Sequence, residues 1–230
     1  MRYALYYAPP PGSLLHRLGA EWLGRDAFGH VPINWHRDER LWDMTSDPRR
    51  YGFHATLKPP FALKDGMSPA ALGIAAGHLS ASLRPAPIAS LKLKQIDGFL
   101  ALVPDGDSAA IDALAAICMR EFEEFRRPPG EAELNRRRSA GLSPRQDEYL
   151  RRWGYPYVFD EFRFHMTLSR RLTASEVKSI EPLAQAHFFA VLGQPLEVDG
   201  LTLFCQAAPD APFEAVQHFS FAPPPAEATT

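Results

Sequence analysis

The chain has 230 residues, 46% of them hydrophobic and 23% charged, so it can bury an ordinary core as one domain or two small lobes. Its formal net charge of -2 excludes the global basic field that drives binding to long nucleic acid, while leaving room for a local cationic pocket. Two distant cysteines, Cys118 and Cys205, make neither a disulfide framework nor a zinc site and fit reduced, buried thiols in the cytoplasm. The start, Met1 to Tyr7, runs into Pro9-Pro10-Pro11-Gly12 and is too short for a signal peptide. No stretch approaches the roughly 18 apolar residues of a membrane span.

In chain order, Arg2 to Ala8 reads as a strand stopped by prolines. Ser13 caps a helix to about Leu23. Gly24 to Arg50 is irregular, with Trp35, His36 and Trp42. Gly52 to Lys58 is a second strand, closed by Pro59-Pro60. Ser68-Pro69 starts a helix that runs to Leu83. Pro87 to Gln95 alternates as a strand, Asp97-Gly98 is a hairpin turn, and Phe99 to Val103 returns. Asp107 caps a helix from Ser108 to about Phe125. Arg126 to Asp160 is the least regular part, although Ser143-Pro144 opens a short helix to Trp153. Glu161 to Arg170 is a strand. Thr173 and Glu176 form a capping box for a helix to about Ala190. Leu196 to Cys205 and Phe213 to Phe221 close the chain as a strand pair, and 223–230 is a frayed tail.

The order strand, helix, strand, helix, strand therefore occurs twice, in copies spanning about 1–97 and 98–222, with a possible lid at 126–160. It predicts one α+β catalytic unit, 1–222, with mainly antiparallel sheets. The second strand of each copy carries the same frame. Phe53-His54-Ala55-Thr56-Leu57-Lys58 stands against Phe164-His165-Met166-Thr167-Leu168-Ser169. Alternation puts Phe53, Ala55, Leu57 and Phe164, Met166, Leu168 on apolar faces. Gly52, His54, Thr56, Lys58 and Arg163, His165, Thr167, Ser169 then form two polar faces that line one cleft.

Histidine titrates near 6.5, so of two such rings one can be neutral while the other is protonated, as acid–base catalysis needs. A lone histidine on a strand is usually structural; two in one frame, each followed by threonine, point to His54 and His165 as catalysts. Thr56 and Thr167 project to the same side and can donate to phosphate oxygens, though threonine also suits strands for its shape. Lys58 and Arg163 are candidate anion-neutralising residues, with solvated strand positions as the alternative. Tyr7 is a candidate cleft residue, against simple aromatic packing. A zinc site lacks a third ligand, so no metal and no cofactor is expected. The pattern does not separate base from acid; His165 is carried forward as the base. The arginines of 126–152 are either solvated and ion-paired or clamp a second phosphate.

These paired His-x-Thr-hydrophobic segments resemble the two-histidine (2H) phosphoesterase superfamily. The strings Tyr51-Gly52-Phe53-His54-Ala55-Thr56-Leu57-Lys58-Pro59-Pro60-Phe61, Trp153-Gly154-Tyr155-Pro156-Tyr157 and Phe162-Arg163-Phe164-His165 resemble its branch of phosphonate-metabolism proteins encoded beside carbon–phosphorus lyase genes. The likeness spans nearly the whole chain. It implies a bilobal fold with two pseudo-symmetric sheets, outer helices and a central cleft. It implies metal-free hydrolysis of a small phosphorylated substrate, a cyclic phosphodiester such as 5-phosphoribosyl 1,2-cyclic phosphate. The alternatives are an RNA 2′,3′-cyclic phosphodiesterase or 2′-5′ RNA ligase-like enzyme, and a non-catalytic binder of phosphorylated metabolites. No membrane and no long nucleic acid is expected as a partner.

Overall fold

The computed structural model describes residues 1–29, 39–139 and 141–223. Trp35, His36 and the tail from 224 lie outside the described residues. The elements follow in order as β1 (Arg2–Tyr7), α1 (Leu14–Leu23), α2 (Glu39–Met44), α3 (Ser46–Tyr51), β2 (Ala55–Phe61) and α4 (Pro69–Ser82). Next come β3 (Ala86–Ile88), β4 (Leu91–Ile96), β5 (Phe99–Pro104), α5 (Ala109–Glu121), α6 (Glu131–Arg138) and α7 (Pro144–Trp153). After a 3-10 turn at Phe159–Glu161 the chain forms β6 (Met166–Thr167), α8 (Ala174–His187), β7 (Leu196–Val198), β8 (Gly200–Gln206) and β9 (Phe213–Ser220).

The caps fall where the side chains allow them. Ser13, Ser68 and Thr173 each accept a backbone N–H of the first helical turn, and Ser143-Gln146 and Thr173-Glu176 close capping boxes. The stretch expected to be irregular before Arg50 contains α2 and α3. The strand expected over Glu161 to Arg170 is only two residues long, because β6 pairs its neighbours through Met166 and Thr167 alone.

One seven-stranded antiparallel sheet has the order β4-β5-β6-β2-β1-β8-β9, and β3 pairs with β7 beside it. Apart from the edge strand β9, this order is symmetric about the β6–β2 boundary. β5 and β1, each the first strand of its copy, flank the motif strands, and β4 and β8, the later ones, lie outside them. The copies therefore exchange strands. The Asp97-Gly98 turn, with φ of 45° and 92°, ties the last strand of the first copy to the first strand of the second. The two sheets expected from the sequence are the two halves of this one sheet.

Helices cover one face. α5 packs on β2 and β3, and α4 on β8 and β9. The main core draws on both copies: Leu5, Phe53, Ala55 and Leu57 join Leu102, Phe164, Met166, Leu168 and Leu203. α1 approaches so closely that a Cβ on Gly19 would sit 2.1 Å from the Phe53 ring, so only glycine fits there. From the same helix, Trp22 donates to the Leu168 carbonyl at 2.8 Å, anchoring the end of the second motif. Among the described residues no helix is long and apolar enough to cross a membrane.

Candidate active site

The site follows from one register. β2 and β6 pair antiparallel through Ala55 and Met166, both buried in the core. Extending that register one residue either way sets His54 opposite Thr167 and Thr56 opposite His165. Directly opposed residues on one face lie about 5 Å apart at Cβ, and diagonal ones about 7–8 Å. By that register the two histidines are a diagonal pair, and both motifs present their histidine and threonine on one side of the β2–β6 seam.

Each ring is locked the same way. His54 Nδ1 lies 2.8 Å from the Gly52 carbonyl, and His165 Nδ1 lies 2.7 Å from the Arg163 carbonyl. A carbonyl only accepts, so Nδ1 carries the proton and Nε2 is left with its lone pair in the neutral ring. Gly52 is required for the first lock. Its φ of 80° turns the backbone out of α3, and a Cβ there would meet Ala27 Cβ at 2.6 Å. Thr56 Oγ1 stands 3.4 Å from His54 Nε2, a long contact that a ligand oxygen can replace.

The surroundings differ. His54 stacks on Tyr6 at 3.8 Å between centroids, and Tyr6 in turn rests on Phe204 at 4.9 Å. Burial pushes His54 down to about 4; the Gly52 carbonyl opposes the shift and His165 adds to it. Burial also lowers His165, but its carbonyl partner and Asp97 hold it up. His54, Thr56 and Thr167 line a cavity of about 840 Å³. Thr56 and His165 line an adjoining one of about 600 Å³. Pro59 and Tyr155 belong to both, so the two cavities form one cleft. Arg163 is exposed on the His165 side.

Two expected residues are not brought to the cleft. Lys58 is fully buried, and its Nζ donates to the Met119 carbonyl at 2.9 Å and to Glu123 Oε2 at 2.8 Å. The cause is a bulge: Tyr6 pairs with Thr56 but Leu5 pairs with Lys58, so Leu57 is an extra residue and Lys58 turns to the helix side. Ser169, at the matching place in the second motif, is likewise buried and bonded to Leu100 N and the Arg170 carbonyl. Tyr7 pairs with Ala55 and packs in the core near Phe164, while Tyr6 takes the cleft. Within β1, Arg2, Ala4 and Tyr6 share a face, so the charge on Arg2 was the signal that picks Tyr6 over Tyr7.

The structure adds Arg2, Arg50, Tyr51 and Tyr155 to the site. From the segment 126–160 it selects Arg136 and Arg137, which line the His54 cavity. Of the other arginines there, Arg126 pairs with Glu123, Arg138 and Arg151 with Asp147 and Arg145 with Asp160, Arg152 lies over the Trp153 ring, and Arg127 lines a different cavity. Among the described residues no group of three or more His, Cys, Asp or Glu side chains could hold a metal ion.

The family model described as "Protein of unknown function (DUF1045)" matches residues 56–214. Two proteins named ribose 1,5-bisphosphate phosphokinase PhnN are similar. One, from Janthinobacterium sp. (strain Marseille), is 39% identical over 96% of this chain and 51% of its own length. Another, from Laribacter hongkongensis (strain HLHK9), is 38% identical over 93% of this chain and 50% of its own. The chain thus spans about half the length of these relatives. Among solved structures, E. coli LigT complexed with NADP+ aligns over 96% of this chain and 97% of its own, at 11% identity and a TM-score of 0.46. LigT complexed with 3′-AMP aligns at 12% identity and a TM-score of 0.45, over 96% of this chain and 98% of its own.

Proposed function

The chain belongs to the DUF1045 family of unknown function, and from the geometry of its cleft we propose that it is a metal-independent 2H-type phosphoesterase that hydrolyses a small cyclic phosphodiester. The observation that carries the reading is the pairing of Ala55 with Met166, which puts the two motifs side by side, with His54, Thr56, Thr167 and His165 lining one cleft. Two rings whose Nε2 atoms are not held by the backbone stand in one cleft with two threonine hydroxyls, an arrangement suited to in-line displacement at phosphorus.

The reaction balances within these groups. The base ring takes a proton from water, the water oxygen bonds to phosphorus, and the bond from phosphorus to one sugar oxygen breaks. The acid ring protonates that oxygen. The products are a phosphomonoester and a free hydroxyl, and solvent returns the proton from base to acid. Thr56 and Thr167 hold the non-bridging oxygens. The environments favour His54 as base, reversing the preference drawn from the sequence. His54 is the more strongly held neutral, and Asp97 favours the cation on His165.

For the substrate, the support is the resemblance of the motif strings together with the names of the longer relatives. This chain, which matches half of those relatives, has no lysine following a glycine, so it carries no Gly-x-x-x-x-Gly-Lys phosphate loop. A different reaction on the same ribosyl phosphate fits it. Opening 5-phosphoribosyl 1,2-cyclic phosphate at the O2 bond yields ribose 1,5-bisphosphate, the compound in the relatives' name.

The test is turnover of that cyclic phosphate, of 2′,3′-cyclic nucleotides and of cyclic-ended oligonucleotides after exhaustive chelation. Chelator-resistant hydrolysis of the small substrates is expected. Activity abolished by chelator and restored by a divalent ion sinks the metal-free mechanism. Preference for oligonucleotides with a steep salt dependence assigns the site to RNA ends. Tight binding with no product makes the protein a binder.

A further inference from the structure

The His54 side of the cleft holds more positive charge than one phosphodiester uses. Its wall carries Arg2, Arg50, Arg136 and Arg137 against a single acid, Asp210. On the His165 side, Arg163 and Arg171 are balanced by Asp97 and Glu161. The chain as a whole is at -2, so the excess is local. It is also assembled, since β1, α3 and α6 each contribute to it.

The arginines are not spent on protein carboxylates. Among the described residues Arg2, Arg50 and Arg136 form no ion pair, and Arg137 has Glu133 at 3.1 Å. The Nε atoms of Arg50 and Arg137 are buried with no hydrogen-bond partner. Buried charged donors are rarely left unmet in a native protein, because their desolvation goes uncompensated. Arg2 is aimed by Gln206, whose Oε1 accepts from Arg2 Nε at 2.8 Å while its own Nε2 is fixed on the Pro209 and Ala211 carbonyls. Tyr155 lies under the Arg137 guanidinium at 5.5 Å, and Tyr51 shares its wall of the cavity.

We propose that this cluster is a second anion site, for a phosphomonoester carried on the same molecule as the scissile phosphodiester. The inference rests on the phosphoesterase reading for its first site and adds the substrate class: a sugar or nucleoside with a phosphodiester at one end and a terminal phosphate at the other. The scissile phosphoryl lies between His54 and His165. Tyr51, Tyr155, Arg136 and Arg137 line the same cavity as His54, and its volume of about 840 Å³ exceeds what one phosphoryl group fills. A terminal phosphate offers three oxygens to guanidinium forks, which a neutral hydroxymethyl group cannot match.

Binding separates the two sites. Ribose 5-phosphate and ribose are titrated calorimetrically into the wild type, Arg136→Gln/Arg137→Gln and Thr56→Val/Thr167→Val. Arg136 is exposed and unpaired, so Arg136→Gln alone is the control that cannot unfold the chain. Ribose 5-phosphate should bind the wild type and the threonine variant, ribose neither, and the arginine variant about tenfold or more weakly. No binding, or binding lost with the threonines but kept without the arginines, overturns the second site. The catalytic arm compares 2′,3′-cyclic AMP with its 5′-phosphorylated form. A preference of about tenfold or more for the latter, falling toward unity in the arginine variants, is expected. Equal turnover of both removes the second site and leaves the phosphoesterase. Arginine-dependent binding without turnover of either keeps the site and removes the phosphoesterase.

Discussion

The two motif strands are built alike up to the threonine and differ in what surrounds them. Both bury a phenylalanine before the histidine and lock Nδ1 on the carbonyl two residues back, at 2.8 and 2.7 Å. Yet His54 is pressed against Tyr6 beside four arginines, while His165 sits beside Phe99 with Asp97 near. A duplicated frame places two equivalent rings in unequal surroundings, and in the mechanism proposed above those surroundings divide the work between them. The largest effect to look for is the one that breaks this division. His54→Ala and His165→Ala should each lower kcat/KM by roughly 10²–10⁴. Their pH profiles should differ. A base must be unprotonated, so the wild-type rate rises as pH passes about 4, where His54 loses its proton. An acid must be protonated, so the rate falls as pH passes the His165 pKa, which is below 6.5. The free enzyme should therefore work best on the acid side of neutrality. Residual activity in the His54 variant should lack the acid limb, and in the His165 variant the alkaline limb. The same limb lost from both would end the assignment.

Past the threonine the comparison turns structural. Lys58 and Ser169 occupy the same place in the two motifs, and both are buried and internally bonded. Removing one partner of a buried pair leaves a charge without its counter-ion. Lys58→Ala should therefore cost about 3 kcal/mol, the low end for such pairs because Glu123 keeps some exposure and has Arg126 at 2.6 Å. For a chain of this length that is a fall in melting temperature of about 6–12 °C. Lys58→Met, which keeps the stem, should cost less. A melting temperature unchanged in Lys58→Ala, with turnover lost, would return this lysine to the chemistry.

The same strand shows what the sequence could and could not disclose. The histidines, threonines and apolar faces were legible because period-two alternation holds from Phe53 to Leu57. It fails at Lys58 because a bulge depends on the partner strand, which one segment does not encode. β1 carries a single charge, Arg2, among apolar residues, so the choice of Tyr6 over Tyr7 hung on that one residue. The Asp97-Gly98 turn was legible, but the strand exchange it causes needed the order of the whole sheet. Of the arginines in 126–152, Glu123, Asp147 and Asp160 engage Arg126, Arg138, Arg151 and Arg145, while Arg136 and Arg137 line the cleft, a sorting visible only in three dimensions.

The unequal burial of the two rings also bears on stability. A histidine held neutral in the fold binds its proton less readily than in the unfolded chain. Between pH 6.5 and about 4 the unfolded state therefore carries a proton at His54 that the native state lacks, and stability falls as pH falls through that window. His165 acts in the same direction over a narrower range. Because both rings keep some exposure, the loss from His54 should be on the order of 1–2 kcal/mol. Urea melts of wild type and His54→Gln at pH 7 and pH 5 measure it. The gap between the two proteins should narrow at the lower pH, and a gap independent of pH would mean that His54 is not held neutral.

The smallest effect isolates the stack that only the first histidine has. Tyr6 is buried between His54 and Phe204, and its ring, more than its hydroxyl, sets the tilt of the imidazole. Aromatic pairs of this kind contribute about 0.5–1.5 kcal/mol beyond area burial. Tyr6→Phe keeps the ring, so kcat should stay close to wild type. Tyr6→Leu removes it, and kcat should fall several-fold, by an amount within the tenfold that about 1.4 kcal/mol represents. The His54 limb of the pH profile should move upward as water reaches the ring. Tyr7→Phe, on the core side, should alter neither. Equal kinetic losses in Tyr6→Phe and Tyr6→Leu would shift the role from the ring to the hydroxyl, and the first motif would then differ from the second by a donor rather than by a wall.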